Sequence, residues 1–133
     1  MAFVSNDLLQ AALVAYLKSQ ATLTSVVTAA EIRENTWKGT DFNYPNVRVE
    51  LTRNTPEKDG CPQYIDVTFQ VYSETTTSKQ ADQIAGIIVN ILHDKQFGQN
   101  GLKIYLYAQN VQPAYAEGVP TWRSNVQMTG KVT

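Results

Sequence analysis

The chain has 133 residues, a formal net charge of -1 and one cysteine. This length predicts a single domain that buries about two-thirds of its surface on folding, and 43% hydrophobic residues are enough to fill a core, which excludes intrinsic disorder. The 11 basic and 12 acidic residues are scattered, so they form neither the basic surface of a tight nucleic-acid binder nor a polybasic membrane patch.

The first predicted element is a helix that begins near Asp7. Apolar residues recur after it at helical spacing, namely Leu9, Leu13, Tyr16 and Leu17. The uncharged run from Leu8 to Leu17 is too short to span a bilayer, and it follows an acidic residue rather than a basic segment. We therefore expect neither a membrane helix nor a signal peptide, and one more short helical turn between Thr22 and Val27.

Two strands are predicted next, because apolar residues now recur at every second position instead of at helical spacing. The first alternates Val47, Val49 and Leu51 with polar residues. The second places Ile65, Val67, Phe69 and Val71 on one face and Asp66, Thr68, Gln70 and Tyr72 on the other. We expect these strands to pair as a hairpin, and the residues from Glu31 to Arg33 admit one additional short strand.

The second half of the chain predicts one more helix and two more strands. The helix begins after Thr77, with His93 and Lys95 in its last turn and Gly98 as its terminator. The strands run from Leu102 to Val111 and from Trp122 to Val132, with a long loop over residues 113–120 between them. One apolar stripe marks the buried face of the helix: Ala81, Ile84, Ala85, Ile88, Ile91 and Leu92.

This order of elements, helix-strand-strand-helix-strand-strand, predicts an α+β fold. We expect one domain over residues 1–133, built on a mostly antiparallel sheet with both main helices packed on one face. The alternating strands argue against a doubly wound parallel sheet, whose strands are apolar along their whole length.

Catalytic chemistry has one candidate constellation. A hydrolase could use Cys61 as nucleophile and His93 as base, with Asp94 or Asp66 to orient the histidine. The alternative is that Cys61 lies in an ordinary turn, with no sequence feature that lowers its pKa, and that His93 is a helix-end residue. With one histidine, no second cysteine and no glycine-rich phosphate loop, we expect no metal site and no cofactor site, and nothing in the sequence requires enzyme activity.

Aromatic residues in the two long loops are the main candidates for an interface. Trp37, Phe42 and Tyr44 lie in a polar segment from Arg33 to Tyr44, and Tyr115 lies in the second loop. Long ordered loops are usually functional, and tryptophan and tyrosine are enriched at protein interfaces. These side chains either anchor a partner protein or fold back over the core of their own domain.

A second aromatic set lies on one strand. Lys103, Tyr105 and Tyr107 alternate with Ile104 and Leu106, so they occupy one face together. They could stack single-stranded bases, or they could pack against a helix or a neighbouring subunit. We include Tyr105 and Tyr107 among the interface candidates.

In order along the chain, these segments resemble the tail terminator (tail completion) proteins of long-tailed bacteriophages. The run from Leu8 to Lys18 resembles the first helix of that family, and Leu23 to Val27 resembles its short second turn. Tyr44 to Val49 is similar to the family's aromatic-proline entry into a strand. Tyr64 to Tyr72 resembles the central strand of the family. The segment that begins Lys79-Gln80-Ala81-Asp82 resembles the helix that follows that strand. The resemblance extends from Leu8 to Val132, and the Asn/Thr-rich loop before Pro45 is longer than is usual.

The resemblance implies a structural, non-enzymatic protein without a cofactor. Such proteins form a hexameric ring on the last ring of the tail tube, stop its polymerisation and offer a surface for head-tail joining. The implied partners are further copies of the chain, the major tail tube protein and a head-completion or stopper protein, and genomic DNA passes through the lumen without sequence-specific binding. The implied location is the tail or neck of the virion, after assembly in the host cytoplasm. A head-side neck or stopper protein is the alternative within the same class, and the Cys61–His93 hydrolase is the alternative from another class.

Overall fold

The computed structural model describes residues 3–58 and 62–133 as helices, strands and connecting turns. The helices are α1 (Asn6–Lys18), α2 (Ala21–Thr24) and α3 (Lys79–Leu92), with a single 3-10 turn at Ala29–Glu31. The strands are β1 (Ile32–Glu34), β2 (Asn46–Pro56), β3 (Gln63–Ser73), β4 (Lys95–Gln99), β5 (Leu102–Val111), β6 (Tyr115–Gly118) and β7 (Thr121–Val132).

The strands form one seven-stranded sheet in the order β1-β2-β3-β7-β5-β4, with β6 paired to β7. β1 runs parallel to β2, and the other neighbouring strands are antiparallel. The predicted hairpin of β2 and β3 is confirmed, with Val47 opposite Val71 and Val49 opposite Phe69. The predicted α+β class is confirmed as well.

The core lies between one face of this sheet and the helices. The predicted apolar stripe of α3 is fully or almost fully buried, as are Leu9, Leu13 and Leu17 of α1. They pack against the alternating apolar residues of β2, β3, β5 and β7, which belong to the same cluster. Tyr16 stacks on Phe97 with ring centroids 3.9 Å apart, and this contact ties α1 to the edge strand β4. The opposite side of the sheet is covered by none of the described helices, and we call it the helix-free face.

The end of α3 differs from the prediction. The helix ends at Leu92, His93 has extended backbone angles, and Asp94 adopts a left-handed conformation with φ of 56°. The chain then turns back, because the Asp94 N–H donates to the carbonyl of Leu106, and β4 follows at once. The placement of His93 and Lys95 in the last helical turn, and of Gly98 as terminator, was therefore wrong. β4 buries Phe97 as its one core side chain, so its sequence carries too little alternation to be predicted.

Two further features define the sheet. The predicted loop at 113–120 contains β6, which pairs with β7 through Tyr115 opposite Arg123. In β7, a Cβ atom added at Gly130 would lie 1.8 Å from the carbonyl oxygen of Tyr105, so β5 and β7 approach closely only because this residue is glycine. No helix in the two described ranges is long and apolar enough to cross a membrane.

Candidate interaction surface

Three arginines and three aromatic residues alternate across one end of the helix-free face. We call them the arginine–aromatic row: Trp37, Arg33, Phe42, Arg48, Tyr72 and Arg123. The strand registers assemble the row, because Arg33 of β1 lies opposite Arg48 of β2, and Tyr72 of β3 lies opposite Arg123 of β7. Residues that are distant in sequence thus meet on one surface.

Each arginine of the row lies against at least one ring. The guanidinium carbon of Arg33 is 5.0 Å from the ring centroid of Trp37 and 4.7 Å from that of Phe42. Arg48 is held between Phe42 and Tyr72, at 4.2 Å from each. Arg123 lies 5.3 Å from Tyr72. All these distances are within the range of cation–π attraction, so the rings hold the guanidinium groups in place.

Arg33 also fixes the loop that carries the predicted aromatics. Its Nε donates to the carbonyl of Ala30 at 2.7 Å, one Nη donates to the carbonyl of Thr40 at 2.8 Å, and the other lies 3.0 Å from the Glu31 carboxylate. Glu31 is buried and accepts a second hydrogen bond from the backbone of Asn43 at 2.7 Å. The second half of the loop is therefore tied, at Thr40 and Asn43, to Arg33 of β1 and to Glu31 just before that strand.

The structure brings Trp37, Phe42 and Tyr44 together, as members of one cavity wall. The cavity has a volume of about 460 Å³ and is also lined by Arg48 and by the loop from Lys38 to Asp41. Trp37 and Tyr44 are each 40% exposed. Trp37 keeps its orientation because its indole N–H donates to the carbonyl of Thr40 at 2.8 Å. These aromatics are ordered but remain available to a partner.

Arg48 retains hydrogen-bonding capacity at this cavity. Its Nε donates to the side chain of Asn46 at 3.1 Å, and its two Nη groups have no hydrogen-bond partner within residues 3–58 and 62–133. A guanidinium held between two rings can donate two parallel hydrogen bonds to a carboxylate with little further ordering.

The other end of the row reaches β6. Arg123 forms an ion pair of 3.4 Å with Glu117, and Tyr115 lies beside it in the register. Burial raises the pKa of Tyr72 above its ordinary value of 10.0, although Arg123 and Arg48 oppose that shift. Tyr115 thus joins the predicted loop aromatics at one end of the sheet.

Tyr105 and Tyr107 lie elsewhere, at the opposite end of the helix-free face. With Tyr64 they form what we call the tyrosine cluster, beside a cavity of about 330 Å³ that Arg53 and Lys131 also line. The rings of Tyr105 and Tyr107 have centroids 6.2 Å apart. The hydroxyl of Tyr105 donates to the Asp94 carboxylate at 2.6 Å, and this hydrogen bond raises the pKa of the phenol.

The sequence interpretation missed the arginines of the row and also Tyr72 and Tyr64. Arg48 and Tyr72 could have been recognised as surface candidates, because both lie on the polar faces of the predicted hairpin strands. The register that aligns them with Arg33 and Arg123 could not be obtained from a single sequence.

The proposed hydrolase residues that the structure describes are engaged in other contacts. His93 Nδ1 accepts a hydrogen bond from the backbone N–H of Ala108 at 2.8 Å, whereas Asp94 binds Tyr105. Asp66 pairs with Arg53 at 2.9 Å. Cys61 lies outside the described residues. Within those residues, no group of three or more His, Cys, Asp or Glu side chains is placed to hold a metal ion.

The chain was compared with known proteins. A family model described as "Tail completion protein gp17" matches residues 11–103, which is more than half of the chain. A search of curated protein sequences found no match. Among solved structures, the chain is similar to one described as "Virion of native gene transfer agent (GTA) particle", with a TM-score of 0.73, 17% identity and 93% of each chain covered. At that identity, the structural match shows a shared fold.

The family match confirms the resemblance found in the sequence. It covers most of α1, the β2–β3 hairpin and all of α3, which are the segments on which that resemblance was based. The chain therefore belongs to the tail completion protein gp17 family and is a structural protein of phage tails.

Proposed function

We propose that this protein forms a hexameric ring that caps the tail tube, stops its polymerisation and provides the surface for head-tail joining. The family match is the observation that carries the proposal. The structural match, to a virion protein of a gene transfer agent, supports it at the level of the fold. In this proposal the protein is not an enzyme, and it assembles in the host cytoplasm before it becomes part of the tail or neck.

The arrangement of the surface supports a role in assembly. A closed ring needs two different contact patches on each subunit, and the two ends of the helix-free face differ in chemistry. Arginine, tryptophan and tyrosine are the residues that dominate binding energy at protein interfaces, and all three are found at the row. Because the loop of Trp37 and Phe42 is already ordered by Arg33 and Glu31, binding would cost less conformational entropy there.

We assign the row, with Tyr44 and Tyr115, to contacts with a neighbouring subunit or with a tail ring, and Tyr105 and Tyr107 to a second contact. The proposed partners are further copies of the chain, the major tail tube protein and a head-completion or stopper protein. Genomic DNA would pass through the lumen without sequence-specific recognition.

The test is an assembly assay with purified tail tube protein. Tube length is measured by negative-stain microscopy with and without this protein, and native mass is measured in parallel over a concentration series. We expect added protein to limit tube length and to appear as a ring at the tube end.

Two variants locate the contact. The double substitution Trp37→Ala with Phe42→Ala should abolish capping, whereas Leu8→Ala, which removes a 56% exposed side chain on α1, should leave capping intact. Tubes of unlimited length in the presence of the unaltered protein would overturn the capping function. Specific binding to heads but not to tubes would favour a neck or stopper protein instead.

A further inference from the structure

Gly86 lies in the middle of α3, where the fold itself gives no reason for glycine. Its backbone is helical, and a Cβ atom added there would meet no atom within 4 Å among the described residues. Glycine weakens a helix interior relative to alanine, because it loses more backbone freedom on folding. A glycine at such a position allows another molecule to approach the helix backbone closely.

Gly86 lines an uncharged groove between α3 and Val26, which lies just after α2, and we call it the α2–α3 groove. The groove has a volume of about 400 Å³ and mainly apolar walls, with Val26, Ile84 and Ile87 on its sides. Its rim consists of the neutral amides Gln80, Gln83 and Asn90. The cavities at the row and at the tyrosine cluster, in contrast, contain arginine or lysine. The occupant of this α2–α3 groove should therefore be apolar and uncharged.

The same chain carries an apolar projection elsewhere. Val119 is 100% exposed, more than any other large hydrophobic residue in the described part of the chain. It lies at the tip of the β6–β7 hairpin between Gly118 and Pro120, so the tip carries no charge. The hairpin is held in place by the ion pair of Arg123 with Glu117 and by the register of β6 on β7.

The hairpin tip cannot fill the groove of its own subunit in this conformation, because Val119 is fully exposed. We infer that the tip of one subunit, with Val119 at its centre, inserts into the α2–α3 groove of a second copy over Gly86. Both surfaces are uncharged, so no ion is desolvated on contact, and the amide rim offers hydrogen bonds to the hairpin backbone. Apolar burial is then the driving force.

This contact is head-to-tail, since the projection and the groove are different patches of the same chain. Repeated contacts of this kind either close into a ring or continue as a filament. The inference rests on the proposed ring, and it names the segments that join one subunit to the next.

Directed cross-linking tests the contact. In the full chain with Cys61→Ser, Val119→Cys and Gly86→Cys are made separately and together, and each sample is exposed to a mild oxidant both free and with tail tubes. The two single variants should cross-link only when they are mixed, and the double variant should give a covalent ladder. A disulfide needs Cα atoms within about 7 Å, so the bond reports direct contact.

Substitutions without cross-linking give a second readout. Gly86→Leu should fill the groove and Val119→Asp should place a charge in it, and each should lower subunit association at least tenfold. Val111→Asp, at a 42% exposed position on β5, is the matched control and should not change association. Gly86→Ala should raise the midpoint of thermal unfolding of the isolated subunit.

The outcomes are distinct from those for the proposed function. If rings form and cap tubes but the mixed variants do not cross-link, the inference is overturned and the capping function stands. Cross-linking of Val119→Cys with itself would also overturn it, because that result means a tip-to-tip contact. If the two variants cross-link only when they are mixed, but the protein does not limit tube length, the result supports the contact and contradicts the capping function.

Discussion

The two ends of the helix-free face use similar residues in different ways. In the arginine–aromatic row, guanidinium groups are packed against aromatic rings, and Arg33 also donates a hydrogen bond to the loop beside it. At the tyrosine cluster, Tyr105 has one hydrogen bond to Asp94 and Arg53 forms a half-exposed ion pair with Asp66, whereas Lys131 has no ion-pair partner within the described residues. The comparison shows that composition alone does not determine how rigid a surface is. The row is preorganised, and the tyrosine cluster is an open polar surface.

The largest effect is expected when the buried ion pair between Glu31 and Arg33, which anchors the row, is removed. Glu31→Ala leaves Arg33 without its carboxylate and Asn43 without an acceptor, in a site where both charged side chains are about nine-tenths buried. We expect a loss of about 3 kcal/mol in the free energy of unfolding, as for other buried ion pairs that lose one partner. Urea unfolding measures it. Glu34→Ala, on the adjoining strand β1 and in no ion pair of the described chain, is the control, and an equal loss in both variants would contradict the assignment.

The next effect removes the central cation of the row. Arg48→Ala loses the contacts with Phe42 and Tyr72, each of which is worth about 0.5–1 kcal/mol. Thermal unfolding should show the sum of the two contributions. Arg53→Ala, which breaks a half-exposed pair with Asp66, should cost less. A larger loss for Arg53→Ala would mean that the row is not the more rigid end.

A smaller effect appears at high pH. Because burial raises the pKa of Tyr72 above 10.0, the folded state holds this proton more tightly than the unfolded state does. Its stabilising contribution is present below pH 10.0 and is lost as the pH rises through the folded pKa. Tyr72→Phe should therefore flatten the decline of unfolding free energy above pH 10.0, as measured by urea unfolding at several pH values. A decline of unchanged steepness would show that another group is responsible.

The smallest effect concerns the tyrosine cluster. The hydrogen bond to Asp94 raises the pKa of Tyr105, so Asp94→Asn should lower that pKa towards its ordinary value. Absorbance titration of the phenols should detect this change, and we expect no measurable change in unfolding free energy because Tyr105 lies at the surface. A large loss of stability in Asp94→Asn would instead point to a structural role in the turn between α3 and β4.

The sequence predicted the elements with long and regular patterns, and it missed those that depend on neighbours. The apolar stripe from Ala81 to Leu92 and the alternation from Ile65 to Val71 both proved to be buried. β4 and β6 are short and carry few core residues, and their conformation comes from pairing with β5 and β7 rather than from a local pattern.

The candidate site was predicted only in part. Trp37, Phe42 and Tyr44 lie together as one wall of a cavity, but the arginines that pack against Trp37 and Phe42 come from two different strands, β1 and β2. Such long-range register is not encoded in any local stretch of residues. The role of these aromatics, and of Tyr105, Tyr107 and Tyr115, as interface anchors stays a prediction.

The position of β7 has a consequence for the synthesis of the protein. β7 pairs with β3 on one side and with β5 and β6 on the other, although it follows all of them in the chain. While a ribosome is still making the earlier strands, β3 and β5 have open edges and the hydrophobic side chains of β7 are missing from the core. Pairings between such distant segments form slowly, and open edges are prone to aggregation. The subunit therefore cannot present its folded contact surfaces until β7 has been translated, which delays association with other tail proteins until the sheet is complete.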